Sequence, residues 1–201
     1  MVLHTPAPEP RTTLQKHLDY FDSDHDDIFS PYDTYLGFRD LAYPICYWTQ
    51  PKFNPTGEKL DPIIFIITLP KRIWSYVPDP LLRFHLNNIN ATIHGSDTQT
   101  YNTQGGFEST KFEEIFELYS SAPGKDYITT SDTFRMWRSQ QRLLDFFGPI
   151  ANGLEWIALW YTVWPESGVI TKDQLRASYD GSILYQLAEQ RTGSGEVKKS
   201  K

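Results

Sequence analysis

Cysteine is almost missing from this 201-residue chain, where Cys46 stands alone. One thiol excludes an internal disulfide framework and a zinc cluster of the CxxC type, and it fits a reducing compartment. An excess of positive charge is missing too. A net charge of -6 and a pI near 5.3 exclude nucleic acid as the main partner and suit solubility and cation binding. Long apolar runs are also lacking. The longest, Ile63 to Leu69, lies between Pro62 and Pro70 and spans only about 10 Å as a helix against roughly 30 Å of bilayer core. A buried core segment is expected there, with a shallow surface anchor as the alternative and no crossing. The N-terminal MVLHTPAPEPR has no apolar h-region, so residues 1–12 read as a mobile lead-in and no secretion is expected. Residues 191–201 are equally short of apolar side chains and read as a disordered tail. Aromatic rings, in contrast, are plentiful at 15% of the chain with six tryptophans, which points to a flat, apolar ligand.

The most distinctive run is Asp22 to Asp33, DSDHDDIFSPYD. A calcium loop of the EF-hand type takes oxygen ligands from positions 1, 3, 5, 7, 9 and 12, because a hard cation wants several oxygens and alternate side chains converge on it. Counting from Asp22 puts Asp24 at position 3, Asp26 at 5, the Ile28 carbonyl at 7, Ser30 at 9 and Asp33 at 12. Two positions depart from the pattern. Asp27 holds position 6, where glycine ordinarily supplies a positive-φ turn. Asp33 is one methylene shorter than the usual glutamate, which favours binding through a single oxygen. A weakened site shifted toward magnesium is expected, and a solvated acidic helix cap is the competing explanation.

Helical spacing precedes the loop at Leu14, Leu18 and Phe21 and follows it at Tyr35, Phe38 and Leu41. The loop therefore belongs between two helices, with Pro31 starting the second, where a missing N–H costs least. Residues 43–80 begin with a proline-rich stretch that breaks periodicity and read as a connector. Three later segments repeat the outline of the loop without its charges. One covers about 94–116, with Gly105 at the turn and Phe107 facing the core before a helix carrying Phe112, Ile115 and Phe116. The others cover about 121–138, with Ile128 facing the core, and about 163–185, with Gly168 at the turn and Ile170 facing the core. The fold class expected is mainly α, a single domain over 13–190 of EF-hand-like helix-loop-helix units in pairs, one loop metal-competent and up to three degenerate. Between the last two units, LLDFFGPIANGLEWIALWYTVW is interrupted by Gly148, Pro149 and Gly153 and reads as a buried helix pair. Its rings line a pocket or fill plain core.

Of five histidines, at 4, 17, 25, 85 and 94, two stand beside distinctive motifs. His17 precedes the acidic loop in LQKHLDYFDSDHDDIFSPYDTYLGFR, and His94 opens HGSDTQTYNTQGGF. Together with VPDP, FGPIANGLEW and SYDGSILY in this order, these segments resemble the caleosin family, also called calcium-dependent haem peroxygenases. The resemblance runs from about Thr13 to Tyr185. It implies a haem b pocket between helices and oxygen transfer from an organic hydroperoxide to an unsaturated lipid-like or specialised-metabolite substrate, by epoxidation or hydroxylation. The family's functional histidines match His17 and His94, one or both on haem iron. Its calcium ligands match Asp22, Asp24, Asp26, Ile28 and Asp33. Imidazole is a sound iron ligand, and no CxxCH is present for covalent haem. Cys46 lacks the Pro-Cys-Pro setting of haem-thiolate peroxygenases. The reaction needs an open iron position and a group that moves a proton between the peroxide oxygens, so one histidine serves as ligand and the other leaves iron or acts as acid and base. Which does which stays open. Ser96 and Asp97 are positioned to orient the His94 ring or to cap a helix.

The chain departs from plant members of that family. Their long hydrophobic hairpin with a proline knot, which anchors them to lipid droplets, is reduced here to IIFIITLP and VPDP, and the short form is similar to fungal members. A cytoplasmic location is expected, or a peripheral one on a lipid droplet or the endoplasmic reticulum. The cysteine plant members often carry before DGS is replaced by Ala177 and Ser178. Two other functions stay open: a tailoring enzyme using the same pocket for rearrangement or isomerisation, and a non-enzymatic calcium-binding protein of lipid surfaces.

Overall fold

The computed structural model describes residues 11–41, 83–163 and 165–199. The expected connector over 43–80, with Cys46, Ile63 to Leu69 and VPDP, lies outside the described residues, as does the lead-in before Arg11.

Helix α1 (Thr13–Asp19) begins at Thr12, whose hydroxyl accepts from Gln15 N while Thr12 N–H donates to the Gln15 side chain, a reciprocal capping box. Thr12 is thus the cap of the first helix rather than the end of a mobile lead-in. Arg11 is also held, by an ion pair to Asp27 and by Asp19 at 3.5 Å. The acidic loop follows, then strand β1 (Ile28–Phe29) and helix α2 (Pro31–Asp40), with Pro31 at its start as expected. Phe21 seals this first hand. Its ring meets Phe29 at 5.9 Å and Phe38 at 5.3 Å, and lies so close over Gly37 that a Cβ there would sit 2.2 Å from a ring carbon. Burial of one such phenylalanine contributes roughly 1.5–3 kcal/mol.

The partner of β1 is β2 (Phe84–His85), antiparallel to it with Ile28 opposite His85, and a 3₁₀ helix (Leu86–Thr92) follows. The second unit therefore pairs through residues 84–85, not through a loop within 94–116. In that stretch Tyr101 bridges Phe107 across a tight turn at Asn102, whose side-chain oxygen accepts from Gln104 and Gly106 N–H groups. Gly105 does adopt positive φ, at 79°, and its carbonyl accepts from Leu14 N–H at 3.0 Å. The turn braces α1, and the helix after it opens the next hand.

That hand runs from α3 (Ser109–Tyr119) through β3 (Tyr127–Thr129) to α4 (Thr130–Ser139). The last hand runs from α5 (Gly148–Val163) through β4 (Val169–Thr171) to α6 (Lys172–Tyr179). Strands β3 and β4 pair antiparallel, with the buried Ile128 facing the buried Ile170 at the centre. Both isoleucines take the core-facing positions expected of them, and Gly168 supplies the positive-φ turn at 70°. The apolar segment before β4 is one helix, not a helix pair. Gly148 and Pro149 fall in its first turn, where the N–H that Pro149 lacks costs least, and Gly153 leaves room for the Trp137 indole, which donates to the Pro149 carbonyl at 2.7 Å. Helix α7 (Ser182–Lys199) closes the described chain. It carries helix through 191–199, expected as a disordered tail, because once started a helix gains one hydrogen bond per residue fixed.

The fold is thus mainly α, with helix-loop-helix units in pairs. One continuous core joins them: Leu14 and Leu18 of α1, Phe112 and Phe116 of α3, Trp156 of α5 and Leu175 of α6 are all buried in it. No helix of the described residues is long and apolar enough to cross a membrane.

Candidate functional site

The core opens into a cavity of about 240 Å³ whose wall includes both distinctive histidines. His17 faces it from α1, and His94 from the segment after the 3₁₀ helix. Apolar side chains form most of the lining, among them Phe21, Phe29 and Phe38 of the first hand, Trp156 and Leu159 of α5, and Leu175 of α6. Polar groups converge from a few places only, including Asp97, Thr98, Asn152 and Glu155.

His17 has one settled nitrogen. Its Nδ1 lies 2.7 Å from the Ser178 carbonyl, which only accepts, so Nδ1 carries a hydrogen, and in the neutral ring Nε2 carries the lone pair. This contact depends on Gly181 in the DGS turn between α6 and α7. A Cβ on Gly181 would stand 2.7 Å from the Lys16 carbonyl oxygen and 2.8 Å from His17 Cα, and its φ of 78° suits glycine. A backbone carbonyl has no side-chain signature, so Ser178 had no signal as a partner in the sequence.

His94 is held differently. Its Nδ1 is buried and has no hydrogen-bond partner among the described residues. The segment carrying it is pinned through Ser96, which is buried. Ser96 Oγ donates to Asp145 at 2.7 Å and accepts from Arg142 N–H at 3.1 Å, while the Asn152 amide donates to the Ser96 carbonyl. Asp145 also accepts from Gly148 N–H at 2.7 Å, so it caps α5 and anchors the histidine segment together. The hydrogen bond from Ser96, opposed by slight burial, holds the Asp145 carboxyl below its ordinary value. Ser96 therefore bonds to Asp145 and not to the His94 ring, and Asp97 accepts from Gln99 N–H at 2.7 Å in a local turn instead of capping a helix. Burial pushes the Asp97 carboxyl up. Tyr179, whose hydroxyl meets Thr98 Oγ1 at 2.8 Å, is pushed up to about 12 by burial.

The acidic loop lies beyond α1. Oxygens of Asp22, Asp24 and Asp26 come within 4.8 Å of one another, a cluster that could hold a metal ion. Asp22 is buried and accepts from the N–H groups of Asp26 and Asp27, both at 3.2 Å. Burial, together with the neighbouring Asp26 and Asp24, pushes its carboxyl up to about 6. Asp27 takes the turn at φ 60°, as position 6 demands. Ile28 sits in β1 opposite His85. The last two expected ligands are engaged elsewhere. Ser30 caps α2, and Asp33 accepts from Ser30 N–H at 2.7 Å and from its hydroxyl at 2.5 Å.

This arrangement of one acidic hand, two further paired hands and a histidine-bearing cavity meets its match in a family model described as Caleosin related protein, which covers residues 9–188. The chain belongs to the caleosin family. Among curated relatives of this caleosin, a peroxygenase of Lilium longiflorum is 32% identical over 187 residues, spanning 92% of this chain and 74% of the relative. A probable peroxygenase 4 of Arabidopsis thaliana is 28% identical over 203 residues, 96% of this chain and 93% of its own. A probable inactive peroxygenase-like protein of Arabidopsis thaliana is 34% identical over 97 residues, 48% of this chain and 46% of its own. No solved structure matches the chain.

Proposed function

We propose that this caleosin is a haem-dependent peroxygenase, which takes oxygen from an organic hydroperoxide and delivers it to an unsaturated lipid-like or specialised-metabolite acceptor by epoxidation or hydroxylation. The observation that carries the reading is the convergence of His17 and His94 on one largely apolar cavity. The donors suit haem b. An imidazole whose second nitrogen donates to a carbonyl is oriented and made more basic, as for His17, which we assign to iron. A buried ring nitrogen without a partner, as at His94 Nδ1, is costly until a ligand completes it. The apolar lining suits the faces of a porphyrin.

Bound haem supplies the iron at which a peroxide O–O bond is cleaved. The chain supplies the rest. His94 Nδ1 accepts the hydroperoxide proton and returns it to the distal oxygen, which leaves as the alcohol. Ser96, held by Asp145 and Asn152, keeps that nitrogen in place, and the apolar wall excludes water from the reacting atoms. Asp22, Asp24, Asp26 and the Ile28 carbonyl would hold calcium, or magnesium as the alternative, with Ser30 and Asp33 available to it once their capping box opens. A cation held there would brace the end of α1 and hence His17.

The visible spectrum tests the assignment. With haem supplied, the wild type is expected to show a Soret band that His17→Ala loses or shifts, while His94→Ala keeps the band and loses hydroperoxide-dependent turnover by about 10²–10⁴-fold. A wild type without a Soret band would sink the reading, and the opposite pattern in the two variants would exchange the histidines' roles. Alcohol and oxygenated acceptor should form in equal amounts. Rearranged hydroperoxide alone would favour an isomerase.

A further inference from the structure

The connector between α4 and α5 inverts the usual polarity of a surface loop. Both of its charges turn inward: Asp145 bonds to Ser96 and to Gly148 N–H at the start of α5, and Arg142 runs over Gly95 to face the Asp97 carboxylate. Its apolar side chains turn outward instead. Leu143, Leu144 and Phe146 have 94%, 78% and 84% of their surface exposed, and Leu144 holds φ at 70°, a left-handed conformation that a bulky side chain rarely adopts. The face continues on α5. Ile150 and Ile157, 61% and 62% exposed, belong to the series Phe147, Ile150, Leu154, Ile157 and Tyr161, whose alternating steps of three and four residues form one apolar stripe along the helix. The one charged residue of α5, Glu155, faces the cavity and leaves the stripe uncharged.

We propose that this face is the contact between two copies of the chain, paired about a two-fold axis with their α5 stripes interlocked and Leu143, Leu144 and Phe146 packed beside them. Charge selects that occupant. A chain of net charge -6 repels its own copy over most of its surface, and two copies meet without opposing like charges only where a face carries none. Shape agrees, because a stripe of three-and-four spacing interdigitates with another of the same kind, and a two-fold axis supplies one. Size agrees as well. The five exposed side chains present on the order of 700 Å², more than the roughly 300–600 Å² of the largest patch on a typical monomer and close to the ~800 Å² that each partner buries in a stable complex. The opposite side of α5 carries Asn152, Glu155 and Leu159 to the cavity, so pairing backs that wall with a second helix. The contact is independent of the proposed peroxygenase activity.

Analytical ultracentrifugation of the full chain, without haem, calcium, lipid or detergent, tests the contact. Wild type is expected to pass from the 23.3 kDa monomer to a dimer as its concentration rises through the micromolar range. Added salt should leave that dimer intact or strengthen it, since screening weakens only the repulsion between copies. Ile150→Glu with Ile157→Glu should raise the dissociation constant about a hundredfold or more, because apolar contacts are lost on both copies and carboxylates oppose one another across the axis. Ile150→Lys with Ile157→Lys should do the same. Both forms should keep the melting temperature of dilute wild type, since both positions are exposed. Mixing the two forms should restore a dimer containing one copy of each, which a misfolded variant would not do. In the wild type, amides of residues 141–147 should gain protection from hydrogen exchange as concentration rises, a readout that needs no substitution. A wild type still monomeric at about 1 mM overturns the proposal, and vesicle binding that the glutamate form loses would then give the face to lipid. A dimer that both charged forms retain overturns it too, by placing the contact elsewhere. So do charged forms that stay apart when mixed while the wild-type amides gain no protection.

Discussion

In the first hand, loop position 1 is Asp22, and in the third it is Ser121; position 5 is Asp26 in the former and Lys125 in the latter. The backbones follow one plan. Each loop caps its exit helix from position 9, with Ser30 or Thr129, and closes a capping box from position 12, with Asp33 or Asp132. The interiors differ. In the third loop the Lys125 ammonium donates to the Ser120 carbonyl at 2.7 Å and the Ser121 hydroxyl to Asp132 at 2.8 Å. Burial alone would push the Asp132 carboxyl up, but hydrogen bonds from Thr129, Ser121 and Arg135 outweigh it and leave the group well below the usual carboxylate range. In the first loop, Asp22 is pushed up to about 6 by burial and by Asp26 and Asp24. One loop carries its own cation, while the other has a deficit of positive charge that an external cation can fill.

Substitutions in each loop can break that contrast. Asp132→Ala removes an acceptor that four donors share, from the Ser121 N–H and hydroxyl, Thr129 N–H and Arg135, and should destabilise the fold by about 3–5 kcal/mol in urea unfolding whether or not calcium is present. Calcium should act on the first loop alone, by about 2.7 kcal/mol at a hundredfold excess over its dissociation constant. This gain has a pH sign. The Asp22 carboxyl is raised in the fold, so its contribution to stability without cation falls as pH rises from the ordinary carboxylate range through about 6. Cation binding needs the ionised form, so the calcium-induced rise in melting temperature should be larger at pH 7 than at pH 5. Asp22→Asn with Asp24→Asn should abolish that rise. An equal response at both pH values would remove Asp22 as the site's titrating ligand.

Lys125→Met should cost about 1–2 kcal/mol, the loss of one charge-assisted hydrogen bond, and a calcium titration should show no new response. Asp27→Gly should change stability least, within about 1 kcal/mol, because glycine relieves a left-handed φ while the ion pair with Arg11 is lost. A shift in the urea midpoint equivalent to more than about 2 kcal/mol would show that Arg11 does more than neutralise a surface carboxylate.

The parts that were legible in the sequence rest on local rules. Ile128 and Ile170 were placed by their register within a repeated loop, and Asp22, Asp24 and Asp26 converge because alternate residues of such a loop must. The engagement of Asp33 was not legible from the same rule, since a short carboxylate at position 12 also reaches the Ser30 N–H and hydroxyl and closes the cap of α2. The second unit was misread because a positive-φ glycine followed by a buried ring marks many turns. Only the pairing of Ile28 with His85 decides where the strand lies, and that depends on contacts far apart in sequence. Similarly, Ser96 and Asp145 stand 49 residues apart, and nothing local joins them. The convergence of His17 and His94 came from family resemblance, and the cavity accounts for it.

The close approach at Gly181 sets a mechanical tolerance. Side-chain packing yields by rotamer adjustment, but here main chain rests on main chain, at the Lys16 carbonyl and His17 Cα, and a missing methyl group acts as the spacer. The height of the His17 ring in its cavity is therefore gauged by the thickness of a peptide unit, which no substitution elsewhere in the lining can alter. Such a stop fixes the register of the imidazole through main chain alone, whatever rotamers the surrounding aromatic rings adopt.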